Sequence, residues 1–162
     1  SILVNNANVR SFRALMDLST EEWRATISPT LDGAFFCIKA VVPHMRALGR
    51  GTIVNIGGGS GHEGRPNRAH VAAAKAGIAG MTVALATELA PDNINVNLVV
   101  PGKIDVRPPS PSREPLQVKA PLGRAGEMAE IAALVRFLCG PDCRFMTGAI
   151  LHANGAAHTT IA

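Results

Sequence analysis

The side chains best suited to chemistry lie in and just before the segment Ala69-His70-Val71-Ala72-Ala73-Ala74-Lys75-Ala76-Gly77. Lys75 brings an amine that can donate to a hydroxyl or an anion, and His70 an imidazole that exchanges protons near pH ~6.5. Upstream, His62, Glu63, Arg65 and Arg68 form a polar stretch in which paired arginines can hold an anionic ligand. The chain has no tyrosine, so no phenol is available as acid or base, and Val71 has no proton to give. Plainer readings are expected to prevail at these positions: a solvated or ion-paired Lys75, a solvated loop, and a structural His70 turned about 100° of helix rotation from Val71. Cys37, Cys139 and Cys143 lack zinc-ligand spacing and accompanying histidines, so buried or inert thiols and no metal are expected.

Hydrophobic periodicity and turn residues define the elements that must carry these groups. Ile2-Leu3-Val4 reads as a buried strand running into the loop Asn5-Asn6-Ala7-Asn8. Ser19-Thr20-Glu21-Glu22 has the spacing of a capping box and opens a helix reaching residue 48, which Pro29 and Pro43 should bend and Gly49 should end. Thr52–Ile56 is a second strand, followed by Gly57-Gly58-Gly59-Ser60-Gly61, a loop suited to close approach by another group. A helix over 69–90 is rich in small residues and stops at Pro91; Ile94–Val100 is a third strand ending at Pro101-Gly102. Residues 103–122 carry five prolines and should form a loop with at most a short helix. Glu127 opens a last helix, stopped by Gly140-Pro141, and Ala149–Ala153 forms a final strand. Strands alternating with helices imply an α/β fold with a parallel sheet.

Several segments, in this order, resemble the short-chain dehydrogenase/reductase family. They are Leu3-Val4-Asn5-Asn6-Ala7, Trp23 with Leu31-Asp32-Gly33-Ala34-Phe35, Ile53-Val54-Asn55-Ile56, Ala72-Ala73-Ala74-Lys75-Ala76-Gly77, Asn95-Val96-Asn97 with Pro101-Gly102, and Thr147-Gly148. The resemblance implies a single domain over 1–162 with a partial Rossmann-like, doubly wound parallel sheet, without the first cofactor-binding βαβ unit. It also implies hydride transfer between NAD(P) and alcohols or ketones, carried by an Asn, a Ser, a Tyr and a Lys. At those four positions this chain has Thr30, Gly58, Val71 and Lys75. The lysine is the position retained. Asn5, Asn6, Ala7, Pro101 and Gly102 match cofactor-contacting motifs, but Asn8 replaces the last glycine of Asn-Asn-Ala-Gly and Val106 stands where a threonine is expected. The family's glycine-rich pyrophosphate turn would precede Ser1. The expectation is therefore a catalytically degenerate member, inactive by itself and holding no cofactor alone, that acts as a structural or regulatory subunit. The alternative is an NAD(P)-dependent oxidoreductase with unconventional catalytic groups or with its N-terminal part missing.

Composition narrows the partners. At 162 residues and 47% hydrophobic content the chain can bury one core. The net charge of +4 comes from scattered arginines without an aromatic ladder, so no nucleic acid is expected. Residues 1–10 lack a signal-peptide layout and no run of about 18 apolar residues is read, so a cytoplasmic protein with no membrane contact is expected. In the resembling family the helices at 20–48 and 69–90 build a dimer interface. The stripe Ala69, Ala72, Ala73, Ala76, Ala79 and Gly80 is accordingly expected to dock a second copy or a full-length family member. Strand Ile2-Leu3-Val4 is expected to be an unpaired sheet edge.

Overall fold

The computed structural model describes residues 1–108, 110 and 113–159. Its centre is a four-stranded parallel sheet of β1 (Ile2–Asn5), β2 (Gly51–Ile56), β3 (Ile94–Pro101) and β6 (Ile150–Ala153), in the order β1-β2-β3-β6. Helices α1 (Thr20–Ile27), α2 (Gly33–Ala47), α3 (Ala69–Leu89) and α4 (Met128–Leu138) complete the main frame. Alternate residues of the strands serve opposite layers, as a two-residue repeat requires. Ile53, Val96 and Leu98 pack under α2 and α3, with Ile38, Met45, Ile78, Ala86 and Leu89. Val54 and Val99 face the other way, onto Leu138 and Cys143 with Ile131, Leu134 and Val135 around them. The doubly wound parallel sheet expected from the sequence is therefore present.

Local chemistry explains the element ends. Ser19 Oγ accepts from the Glu22 amide at 3.1 Å while Glu22 accepts from the Ser19 amide at 3.1 Å, so the capping box forms as read. Glu127 and Glu130 do the same for α4. Gly49 ends α2 at φ +64°, where a side chain would be strained. Pro29 does not simply bend one long helix. It falls within a π-helical turn, Ser28–Asp32, that separates α1 from α2, whereas Pro43 sits inside α2.

The last strand begins at Ile150, one residue later than read. The proline-rich stretch is more ordered than expected. Within it β4 (Ile104–Asp105) pairs in parallel with β5 (Gly126–Glu127), and Gln117 bridges Arg124. Two-residue strands fall below the reach of periodicity. Pro109, Pro111 and Ser112 of this stretch lie outside the described residues.

Two further expectations need correcting. The stretches Thr20–Ala47 and Ala69–Asp92 do have the length of a membrane span, and an 18-residue window within each reaches a mean hydropathy of 1.3 and 1.4. Aliphatic and aromatic residues with few charges raise the index, and in the fold α3 lays His70, Val71, Ala74, Lys75, Ile78 and Leu89 into the interior. Cys37 is exposed on α2, while Cys143 is buried and Cys139 half-buried. At the sheet's edge, Ile2 and Val4 on β1 remain 59% and 41% exposed. Among the described residues no strand pairs with the outer side of β1.

Candidate functional site

Parallel α/β sheets place their loops for ligands at the carboxyl ends of the strands. Here those ends carry Asn5-Asn6-Ala7-Asn8 after β1, Gly57–Gly61 after β2, Pro101-Gly102 after β3 and Asn154 after β6. The first turns of α3 bring Val71 and Lys75 to the same place. Gly61 seats the glycine loop on the helix: a Cβ there would lie 2.7 Å from the Lys75 carbonyl carbon, so no larger residue fits without a shift.

Lys75 is neither solvated nor ion-paired, contrary to the plainer reading. It is 4% exposed, and its Nζ donates to the Ile56 carbonyl at 3.3 Å. Burial, with the positive charge of Arg10 adding to it, brings its pKa down to about 8. Gly58 faces it, since a Cβ there would stand 3.6 Å from Lys75 Cε, an ordinary contact. The Gly58 backbone is extended, at φ 163°, so a serine would fit; the chain simply has none at this place. Val71 is 2% exposed and supplies only methyl groups. Thr30 lies in the π-helical turn, 2% exposed, and its Oγ1 has no hydrogen-bond partner. Of Thr30 in the π-helical turn, Gly58 in the glycine loop and Val71 and Lys75 on α3, Lys75 alone carries an ionisable group.

The neighbouring residues divide into framework and surface. Asn5 Nδ2 donates to Asn55 Oδ1 at 2.8 Å and Asn55 Nδ2 to Thr82 Oγ1 at 2.9 Å, so the Asn5 side chain is committed to holding β1 on β2. Asn6, Ala7 and Asn8 are exposed. Gly102 has a packing reason of its own, because a Cβ would come within 2.6 Å of Asn154 Cα. Pro101 is half-buried and Val106 is 67% exposed. His70 is structural as read: fully buried, with Nε2 2.7 Å from Ser11 Oγ.

The loop after Gly61 is less solvated than expected. Arg65 pairs with Glu63, but the Arg68 guanidinium lies 3.8 Å from the centre of the Phe12 ring and donates to Ser60 Oγ at 3.3 Å. His62 packs against His152 and His158, with ring centres 4.9 and 6.2 Å away. Burial first, then the neighbouring imidazoles, pushes the His62 pKa down. Among the described residues no group of three His, Cys, Asp or Glu side chains is arranged to hold a metal ion.

Sequence reasoning passed over Arg10. It stands among scattered arginines, and only the fold brings it near Lys75 and Arg68; no spacing signals it. Likewise missed is a cleft of about 400 Å³ bordered by Asp105, Arg113, Arg124 and Glu130. Its charges are paired internally: Arg124 holds Glu130 through two hydrogen bonds, bringing that carboxyl down to about 2, and Arg107 holds Asp105 well below the usual carboxylate range.

Comparison with known proteins agrees with this geometry. A family model described as enoyl-(acyl carrier protein) reductase matches residues 1–158. The chain is 37% identical over 158 residues to a 3-oxoacyl-(acyl-carrier-protein) reductase of Thermotoga maritima, covering 95% of this chain and 64% of that protein. It is 42% identical over 154 residues to trans-4-hydroxycyclohexanecarboxylate dehydrogenase of Sinomonas cyclohexanicum, covering 95% of this chain and 59% of that one. A crystal structure of a short chain dehydrogenase from Bacillus anthracis superposes with a TM-score of 0.86 at 31% identity, covering 98% of this chain and 64% of that one. The chain therefore spans about three fifths of the length of these relatives.

Proposed function

Since this chain belongs to the short-chain dehydrogenase/reductase family, we propose that it serves as a ligand-binding, oligomer-forming subunit that does not by itself perform the family's tyrosine-dependent hydride transfer. The observation that carries this reading is Val71, buried and without a proton at the tyrosine's place, one helical turn before Lys75. Gly58 supports it, because it faces the Lys75 side chain and brings no hydroxyl.

A nicotinamide dinucleotide, when bound, supplies the hydride in this family. Of the residues present, Lys75 fits such a group: a buried amine with one weak carbonyl contact has donors left for a ribose hydroxyl. Asn5 and Gly102 are engaged in the frame and offer backbone groups. Among the described residues none forms the family's glycine-rich pyrophosphate turn.

We place the subunit in the cytoplasm, in a homo-oligomer or with a full-length family member, through helices 20–48 and 69–90. The support is exposed apolar surface there, with Phe35 and Phe36 at 45% and 62% on α2 and Val83 at 46% on α3. Ala69, Ala76 and Gly80 of the small-residue stripe are open, whereas Ala79 is buried inside the fold.

A second reading is favoured by one observation. A lysine titrating at about 8 exchanges a proton at neutral pH, so Lys75 itself can serve as the acid in an NAD(P)-dependent oxidoreductase. The relatives' names, reductase and dehydrogenase, agree with that reading.

NAD(P)H oxidation with ketone substrates separates the two. The subunit reading expects no turnover from the natural chain or from Val71→Tyr/Gly58→Ser, and sedimentation of the same sample should show an oligomer. Turnover by the natural chain that disappears in Lys75→Met would establish the oxidoreductase reading instead.

A further inference from the structure

We propose that Arg10, Arg68 and Lys75 form a receptor for a small-molecule oxyanion, a carboxylate or a phosphate ester, over the Gly57–Gly61 loop at the start of α3. The inference deepens the ligand-binding part of the reading above and rests on it.

Segment 10–13 is fastened to the start of α3 by three contacts. Ser11 Oγ meets His70 Nε2 at 2.7 Å, the Arg13 amide donates to the Asn67 carbonyl at 2.9 Å, and Phe12 lies under the Arg68 guanidinium. Burial is the first cause that lowers the pKa of Arg68 and of Lys75; these ties bring Arg10 close enough for its charge to add to that at both, after Arg65 in the case of Arg68. Three cations gathered in this way repel one another, and a buried cation is costly unless an anion accompanies it. No described residue supplies one. Among the described residues the nearby carboxylates are engaged elsewhere, Glu63 with Arg65 and Glu22 with Arg13, and none pairs with Arg10, Arg68 or Lys75.

Donors are also left open. Arg68 Nε is buried without a partner. Lys75, 4% exposed, spends one contact on the Ile56 carbonyl at 3.3 Å. Arg68 occupies the N-cap of α3, where no side chain caps the helix, so the positive end of a 21-residue helix lies at its backbone. The Phe12 ring fixes the guanidinium plane in advance, which suits the flat or tripod edge of a carboxylate or phosphate. Arginines were read in this loop as a pair from Arg65 and Arg68. In the fold Glu63 pairs with Arg65, and Arg10 joins Arg65 among the charges that act on Arg68.

Isothermal titration calorimetry on the whole chain, without nucleotide, tests the receptor with cyclohexanecarboxylate and phenyl phosphate as separate probes. Saturable binding of at least one probe is expected, weakened at least fivefold in Arg10→Gln and in Arg68→Gln. Arg68→Lys should retain part of it, and Arg50→Gln, at the opposite end of the sheet, should leave it unchanged. Which probe binds more tightly identifies the source of the oxyanion. No saturable binding of either probe, or equal binding in Arg10→Gln and the natural chain, would overturn the proposal. Because no turnover is measured, a failure here is distinguishable from a failure of the subunit reading.

Discussion

The interior of the sheet and the carboxyl ends of its strands treat buried polar groups in opposite ways. In the interior, Asn55, Asn95 and Asn97 are all buried and all hydrogen-bonded: Asn55 to Thr82, Asn95 to the Arg144 and Met146 carbonyls, Asn97 to the Met146 carbonyl and the Ala149 amide. Around the carboxyl ends, Thr30 Oγ1, His62 Nε2, Arg68 Nε, His70 Nδ1, His152 Nδ1 and His158 Nε2 are buried without partners. Native interiors seldom leave such groups unmatched, and where they do the sites tend to be functional. The frame of a dehydrogenase is satisfied from within. The carboxyl ends of its strands instead hold open hydrogen-bonding capacity.

The largest effect should therefore come from the frame. Asn97 Nδ2 donates to Met146 at 2.8 Å and its Oδ1 accepts from Ala149 at 3.0 Å, which ties the entry of β6 to β3. Asn97→Ala leaves a carbonyl and an amide unmatched in the interior, for a predicted loss of about 3 kcal/mol in urea unfolding. A loss below about 1 kcal/mol would mean that β6 is not held this way and would dissolve the contrast.

Lys75 should respond in the opposite sense. Its folded pKa of about 8 lies below the ordinary 10.5, so between these values the unfolded chain binds more protons than the folded one. Stability contributed by neutral Lys75 is then gained as pH rises through this window, and at pH 7 the fold bears the cost of a buried charge. Lys75→Met is predicted to stabilise the protein by about 2–3 kcal/mol at pH 7, with the gain shrinking toward pH 10.5. Denaturation across pH 7–10 checks this; a destabilised variant at pH 7 would show that the Ile56 contact outweighs desolvation.

How much of this was legible in the sequence depended on the range of the interaction. Strands, helix starts and the capping box at Ser19 follow from local pattern, and so does the expectation that Thr30, Gly58 and Val71 stand where the resembling family has an asparagine, a serine and a tyrosine. The state of Lys75 did not. Helical period places it one turn from Val71, but its burial depends on Gly61 closing over the helix from a separate loop. Arg10 lies 58 residues before Arg68 in the chain and is joined to it through Phe12, Ser11 and His70, contacts that no spacing encodes. The β4–β5 pair joins residues 22 apart across a proline-rich stretch, too short in each strand to show alternation.

Thr30 supplies the smallest and sharpest test of the comparison. If its hydroxyl is not part of the frame, replacing it by a methyl removes an unmatched polar atom and keeps the shape of the side chain. Thr30→Val is then predicted to be neutral or to stabilise by up to about 1 kcal/mol in the same urea measurement. Thr26, also buried but donating from Oγ1 to the Glu22 carbonyl at 3.1 Å, is the internal control, and Thr26→Val should cost about 1 kcal/mol. Equal losses at the two positions would mean that the Thr30 hydroxyl is matched in solution, and the carboxyl end of the sheet would then differ from its interior in its lost catalytic groups but not in its unmatched ones.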